Sequence, residues 1–249
     1  MRINLQGVGK KFNLNFRKKE GILGRLLSIF NLSQNNQNVW VLRDFDFSPA
    51  DGQIVGVIGR NGSGKSTLLR LLAGIYQPDE GKVDLRGQVA YLTGFGQGLM
   101  PKLTMRENIF LIGSLLGLSP GEIKKRFAEI VEFSELGDYI ETPVYKFSSG
   151  MISRLSFSTT IFCLKHHNPD ILLIDEALDS GTDLAFKNKA INKMEEILST
   201  GANVVLVSHD LSLIEKYCHE ALWLDRGKVF AAGPAREIVT KYQSANNVN

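Results

Sequence analysis

The sequence predicts an α/β fold, a mixed sheet flanked by helices with an inserted helical subdomain, and three observations carry that reading. Short apolar runs recur as QIVGVIG (53–59), QVAYL (88–92), DILLID (170–175) and NVVLVS (203–208). Several are continuously apolar rather than alternating, as strands covered by helices on both faces are. Between the second and third runs lie about 75 residues that read almost wholly helical, from MRENIFLIGSLLG through PGEIKKRFAEIVEFSEL to SGMISRLSFSTTIFCLKHH. A glycine-rich turn, GRNGSGKST, joins the first run to the helix STLLRLLAGI.

Composition sets the outer limits. The 249 residues, 43% hydrophobic and 22% charged, are enough to bury a substantial core. Lys+Arg exceed Asp+Glu by 29 to 26, and a net charge of +3 gives no ground for a nucleic-acid-coating surface. Cys163 and Cys218 form neither a disulfide framework nor a CxxC metal pair, so both read as small buried apolar residues in a reducing compartment. The longest apolar runs, such as ILLI and VVLV, are four residues long, whereas a spanning helix needs roughly 20. The opening MRINLQGVGKKF has no apolar signal core.

In chain order, residues 13–38 interrupt the α/β pattern as an insertion. They begin basic (Arg17, Lys18, Lys19), place Ile22, Leu23, Leu26, Leu27 and Phe30 on one helix face, and end in the linker-like SQNNQN. That face suits either a surface helix packed on its own domain or, beside the basic flank, a docking or lipid-facing helix. After the strand run ending at Ser208 come a helix DLSLIEKYCHEA and a hairpin LWLDRGKVFAAG turning at Asp225-Arg226-Gly227. A short helix PAREIVTKYQ and a frayed polar tail SANNVN follow. No internal repeat is evident.

The strongest chemical signal is Gly59, Arg60, Asn61, Gly62, Ser63, Gly64, Lys65, Ser66 and Thr67, which satisfies G-x-x-x-x-G-K-[ST] between a strand and a helix. With glycine at roughly 7% of residues, the pattern arises by chance in about one chain in a hundred of this length, before that context is required. Gly62 and Gly64 let the backbone curl until successive N–H groups face one centre, and the following helix adds its positive end. A polyphosphate fits such a nest: Lys65 falls between β- and γ-phosphates, Ser66 supplies a hydroxyl for Mg²⁺, and Thr67 adds one near the α-phosphate.

DILLIDEA ends an apolar strand in adjacent acids. Two acids at a strand end are commonplace, but downstream of a phosphate loop they divide two tasks, because alternation turns neighbouring carboxylates in different directions. Asp175 is assigned to the metal and Glu176 to a water attacking the γ-phosphate. His209 closes VVLVSHD in the same way and reads as a γ-phosphate sensor, since ligands bind at strand ends in open α/β sheets. His166, His167 and His219 lack such a setting and read as surface or helix-end residues.

FSSGM (147–151) opens a helix about 20 residues before DILLIDE. Alone it is little more than an N-cap. Phosphate loop, FSSGM, acidic strand end and His209 stand in an order and spacing that resembles the ATP-binding subunits of ABC transporters over nearly the whole chain. The resemblance implies one ABC ATPase domain over 1–249, with its helical subdomain about 95–168. It implies ATP and Mg²⁺ as the bound species, and a head-to-tail dimer with a second copy. There Ser148, Ser149 and Gly150 of one subunit complete the ATP site of the other, with Asp183 in the loop that communicates between the sites. Family signatures read LSGGQ, so Phe147, Ser149 and Met151 depart from the pattern while Ser148 and Gly150 keep it. An adenine-stacking aromatic falls on Phe12, with Trp40 as the alternative. The family's loop glutamine falls at Phe95, so either Gln97 serves from a shifted loop containing Gly94, Gly96 and Gly98 or γ-phosphate sensing differs here.

The SSGM signature, the glycine-rich loop, the insertion before WVLRDFDFS and TMRENI look like the ATPases that power export of lipid-linked O-antigen, capsule or teichoic-acid chains. The implied setting is peripheral, on the cytoplasmic face of the plasma membrane beneath integral permease subunits. Some relatives carry an added C-terminal carbohydrate-binding domain, for which the 40 residues after His209 leave no room. An ABC ATPase of another transporter class, or a soluble ABC protein acting on nucleic acid or ribosomes, is the alternative. The coiled-coil insertions, zinc modules and second ATPase domain of the soluble forms are not seen in the sequence.

Overall fold

The computed structural model describes residues 2–13, 38–93, 98–164, 169–176, 183–199 and 201–246. Two sheets and a group of helices make up the fold. Strands β1 (Ile3–Asn13), β2 (Asn38–Phe47) and β4 (Glu80–Leu85) form an antiparallel sheet in the order β2-β1-β4. The second sheet has the order β5-β6-β7-β3-β8-β9, with β3 (Ile54–Ile58), β5 (Val89–Thr93), β6 (Ile171–Asp175), β7 (Asn203–Val207), β8 (Glu220–Asp225) and β9 (Lys228–Pro234). Its first five strands are parallel and β9 is antiparallel, so the sheet is mixed as the sequence predicts.

The continuous apolar strands have the two-sided burial that their composition demands. Ile171 and Leu173 of β6, with Val205 and Val207 of β7, join a core shared with Leu5, Val8, Leu42 and Phe45 of the antiparallel sheet and with helix α1 (Lys65–Leu72). The intervening Leu172, Ile174, Val204 and Leu206 enter a second core against Phe157, Phe186, Ile191, Ile214 and Ile238. Those five come from helices α4 (Ser149–Cys163), α5 (Leu184–Leu198), α6 (Leu211–Tyr217) and α7 (Ala235–Asn246). A period of two along each strand therefore divides one run of aliphatic residues between two cores.

The inserted helical stretch holds α2 (Met105–Leu115), α3 (Pro120–Ser134) and α4, packed on their own core of Met105, Ile109, Ile123, Ile130, Phe147 and Leu155 among others. Capping boxes fix the first two starts: Thr104 with Glu107, and Ser119 with Glu122 ahead of Pro120. Buried Asn108 donates to the carbonyls of Met100, Leu103 and Thr104 and accepts from the Met100 amide, which ties down the approach to α2.

Several local expectations need correction. Asn13 and Asn38, placed in the insertion, are paired strand residues, and the amphipathic stretch 17–32 lies outside the described residues. The helix expected over DLSLIEKYCHEA stops at Tyr217, because Glu220 and Ala221 pair with β3 as the start of β8. His219 is exposed just past the helix end, as expected, and its Nδ1 accepts the Ile54 amide at 3.0 Å. His166 and His167 lie outside the described residues. The last helix runs on to Asn246 and takes in half of the tail expected to fray, with Ser244 and Asn246 side chains donating to carbonyls one turn back.

Gly56 sits where α6 crosses β3, and a Cβ there would lie 2.6 Å from Ile214 Cγ2 and 3.1 Å from Cys218 Sγ. Gly56→Ala should cost about 1–3 kcal/mol, read as a lower urea midpoint at unchanged slope. Asp210 caps α6 and pairs with Lys187 of α5, and those hydrogen bonds hold its carboxyl down at about 2. A carboxyl depressed on folding stabilises the fold above its ordinary value near 3.8 and loses that contribution as pH falls toward 2. Asp210→Asn should lower the melting midpoint by about 2–4 °C at pH 7, corresponding to about 1 kcal/mol for a partly exposed pair. Melting curves at pH 7 and pH 3 should show the difference shrinking with acid.

Candidate functional site

The loop from Gly59 to Gly64 leaves β3 and enters α1 through glycines no other residue replaces easily. Gly62 and Gly64 stand at φ 79° and 109°. A Cβ on Gly64 would meet the Val41 carbonyl and Leu42 at 2.9 Å. Because the cap residue Gly64 has no side chain, the opening N–H groups of α1 have no side-chain cap, and the first turn itself carries no acid. Arg60, Asn61 and Gly62 are exposed, while Ser63, Gly64 and Lys65 are buried. Ser63 Oγ is buried without a hydrogen-bond partner, a second sign that the loop is shaped to receive a polar group.

Lys65 donates from Nζ to the carbonyls of Gly59 (2.7 Å) and Arg60 (3.1 Å). Burial pushes its ammonium below the usual lysine range, while Glu176 and Asp175 pull it back up. Ser66 Oγ lies 3.4 Å from Asp175 Oδ1. That is longer than a good hydroxyl–carboxylate bond and close to the roughly 3 Å that separates neighbouring oxygens around a Mg²⁺ ion bound at about 2.1 Å. An uncharged hydroxyl and a carboxylate are the hard oxygen donors that such an ion takes, so the residues fit it. Thr67 is half-buried in the first turn of α1.

Parallel pairing brings the acids and the histidine to the same edge. Asp175 is level with Val207 of β7 and Thr93 of β5. Glu176 follows with φ 53°, a conformation costly to a residue with a Cβ, and its amide donates to the Val207 carbonyl at 3.0 Å. Its Oε1 lies 2.8 Å from His209 Nε2. Glu176 and His209 thus form one unit, with His209 about half exposed on the open side.

The remaining expected residues lie elsewhere. Ser148, Ser149 and Gly150 open α4 on the helical unit; the two serines are exposed, and Ser148 Oγ accepts the Met151 amide at 3.2 Å. Asp183 caps α5 through the Phe186 amide and pairs with Arg154 of α4. Phe12 sits on β1 edge-on to Tyr76, 5.4 Å between centroids, with the Lys10 ammonium over both rings. Trp40 of β2 lies between Lys11 and Arg43. Gln97, with Phe95, Gly94 and Gly96, is outside the described residues.

Two contacts were not anticipated. Tyr91, read only as part of an apolar strand, donates its hydroxyl to Asp175 Oδ2 at 3.0 Å. Burial and the Asp175 charge push that phenol well above the usual tyrosine range, so it stays a donor. Arg154 joins Asp183 to Glu135, the residue that ends α3 at φ 58°, and Lys189 reaches the same glutamate at 3.1 Å. In sequence, the sole hint is a polar-tipped aromatic two residues before a strand end and a lone charge, Arg154, on an otherwise uncharged helix.

Comparison with known proteins agrees with this geometry. The family model for "ABC transporter" matches residues 42–179. The O-antigen export system ATP-binding protein RfbB of Myxococcus xanthus is 41% identical over 86% of this chain and 48% of its own length, so the chain spans about half of that relative. RfbB of Klebsiella pneumoniae is 37% identical over 98% of both chains. The teichoic acids export ATP-binding protein TagH of Listeria innocua is 38% identical over 97% of this chain and 70% of its own. Among solved structures, an ATP-binding subunit of an ABC transporter superposes with a TM-score of 0.73 at 24% identity, covering 98% of this chain and 94% of that one. The cassette MJ0796, as a post-hydrolysis dimer bound to ADP and Pi, gives 0.71 at 22% identity over 94% of this chain and 99% of its own. With a matched segment running from β2 through both strand-end acids, and a relative aligned end to end, the chain belongs to the ABC transporter family.

Proposed function

We propose that this chain is the ATP-hydrolysing subunit of an ABC exporter that moves a lipid-linked surface polysaccharide of the O-antigen, capsule or teichoic-acid type. The observation that carries the ATPase reading is the meeting of Lys65, Ser66, Asp175, Glu176 and His209 at one edge of the parallel sheet. The cargo reading is supported by the names of the relatives, two of which match nearly all of this chain. The polypeptide is read as one ATPase domain, with residues about 95–168 as its helical subdomain.

In this reading the open N–H groups of the loop and α1 bind the phosphates of ATP, and Lys65 exchanges its loop carbonyls for phosphate oxygens. Ser66 and Asp175 hold Mg²⁺, which when bound neutralises charge building on the β- and γ-phosphates. Glu176 orients and deprotonates the attacking water, and His209, fixed by Glu176, faces the γ-phosphate. Phe12 stacks on adenine. Ser148 reaches a second copy: its oxygen already accepts the Met151 amide, so its proton is left to donate to a γ-phosphate held by the partner subunit. Ser149 and Gly150 add the N-terminus of α4, Asp183 lies at the contact between the two sites, and Gln97 senses the nucleotide beside the permease. Dimer opening after hydrolysis drives integral permease subunits on the cytoplasmic side of the membrane. Among the described residues no helix is long and apolar enough to cross a membrane.

Glu176→Gln should lower ATP turnover by at least about 10²-fold, the span of general-base catalysis, while ATP binding persists and a dimer accumulates with ATP in gel filtration. Turnover at the parent rate would reject Glu176 as the water-orienting group. Purification of the tagged protein from its host's membranes should retain an integral permease, whereas retention of ribosomes or DNA would overturn the export reading.

A further inference from the structure

The contact of Tyr91 with Asp175 has no part in the chemistry described so far. We propose that Tyr91 is a positioning residue for Asp175: its hydroxyl captures Oδ2 and thereby keeps Oδ1 turned toward Ser66, where the divalent cation would be held. This rests on the reading of Asp175 and Ser66 as the cation's holders.

The torsion that turns an aspartate carboxylate is broad and roughly two-fold, so a strand end alone does not say which oxygen faces the metal. Here the two oxygens have different partners. Oδ2 takes the phenol proton at 3.0 Å, and Oδ1 faces Ser66 Oγ at 3.4 Å. The charge of Arg70 acts on the phenol, and its guanidinium donates to the Tyr76 hydroxyl at 3.4 Å and lies 5.8 Å from that ring's centre. Ser66 and Arg70 are four residues apart on α1 and so lie on the same face of that helix. One helix face therefore supplies both the hydroxyl on Oδ1 and a cation whose charge acts on the phenol that holds Oδ2. Ser66, Asp175 and Tyr91 thus link α1, β6 and β5 through the two oxygens of one carboxylate. Tyr91 is half-buried and packs against the core between the two sheets, which fixes its ring as well as its tip. Phenylalanine fills the same space without the donor.

The test uses Mn²⁺ as a spectroscopic probe and Glu176→Gln as the background, so that ATP is not consumed. Electron paramagnetic resonance titration should show Tyr91→Phe weakening Mn²⁺ binding in the presence of ATP by about tenfold, the size expected for one charge-assisted hydrogen bond. ATP affinity in EDTA should not change, and the melting midpoint should fall by no more than about 2–4 °C, the cost of one hydrogen bond in a chain of this size. With Glu176 intact, the Mg²⁺ concentration giving half-maximal hydrolysis should rise by a similar factor, while turnover at saturating Mg²⁺ stays within about twofold. Asp175→Asn is the control on the underlying reading. If it weakens Mn²⁺ and Tyr91→Phe does not, the positioning role is overturned and the metal assignment stands. If Asp175→Asn leaves Mn²⁺ affinity at the parent level, the metal assignment itself falls. Should the phenylalanine variant not fold, 4-aminophenylalanine in place of Tyr91 restores a donor at the same place and should keep Mn²⁺ affinity within about threefold. A tenfold loss there would also overturn the proposal.

Discussion

The parallel register of β3, β7 and β6 is the constraint on which the site depends. Val57 is level with Val207, and Val207 with Asp175, so all three strands end at one edge. The loop leaving at Gly59, the acids at 175 and 176 and the histidine at 209 emerge side by side for that reason alone. The register is protected by what the strands bury. A slip of one residue in β6 or β7 would drive the side chains of each core into the other, and the two cores are shaped by different partners, an antiparallel sheet on one side and four helices on the other. Placement of the candidate chemistry is thus a by-product of aliphatic packing well away from it.

A second link ties the helical unit to this framework. Arg154 lies within the helix that Ser148 caps and grips both the cap of α5 and the end of α3, while its guanidinium stacks 5.0 Å from the Phe186 ring centre. Lys189, one turn into the body of α5, returns to Glu135 and to the Phe133 carbonyl. Three helices therefore share one alternating set of charges at the junction between the unit and the sheet. Isolated exposed pairs contribute little, but a guanidinium held by two carboxylates and an aromatic face restricts orientation as well as distance.

Much of this was legible in the sequence because it depends on local pattern. Continuous aliphatic runs marked β3, β6 and β7, and the glycine spacing with its Lys-Ser pair marked the loop. The antiparallel sheet was not, since β1 carries Gly7, Gly9, Lys10 and Lys11 and pairs through repeated irregularities that blur alternation, and the first half of β4 is exposed. The end of α6 was missed because Cys218 and His219 read as helix while pairing of β8 with β3 claims the next residues. Tyr91 was hidden by its setting. An aromatic residue in an apolar strand reads as core, and only the pairing of β5 with β6 gives its hydroxyl a partner in Asp175.

The pairing of Asn13 with Asn38 has a consequence for how the chain can vary. The 24 residues between them leave and re-enter the sheet at adjacent positions of one ladder. The entropy of closing a connection grows only with the logarithm of its length, so doubling it costs about 0.6 kcal/mol. The ladder thus behaves as a socket. Segments of different length and chemistry can be exchanged there at almost constant stability, so this part of the chain can diverge while the phosphate loop stays the same.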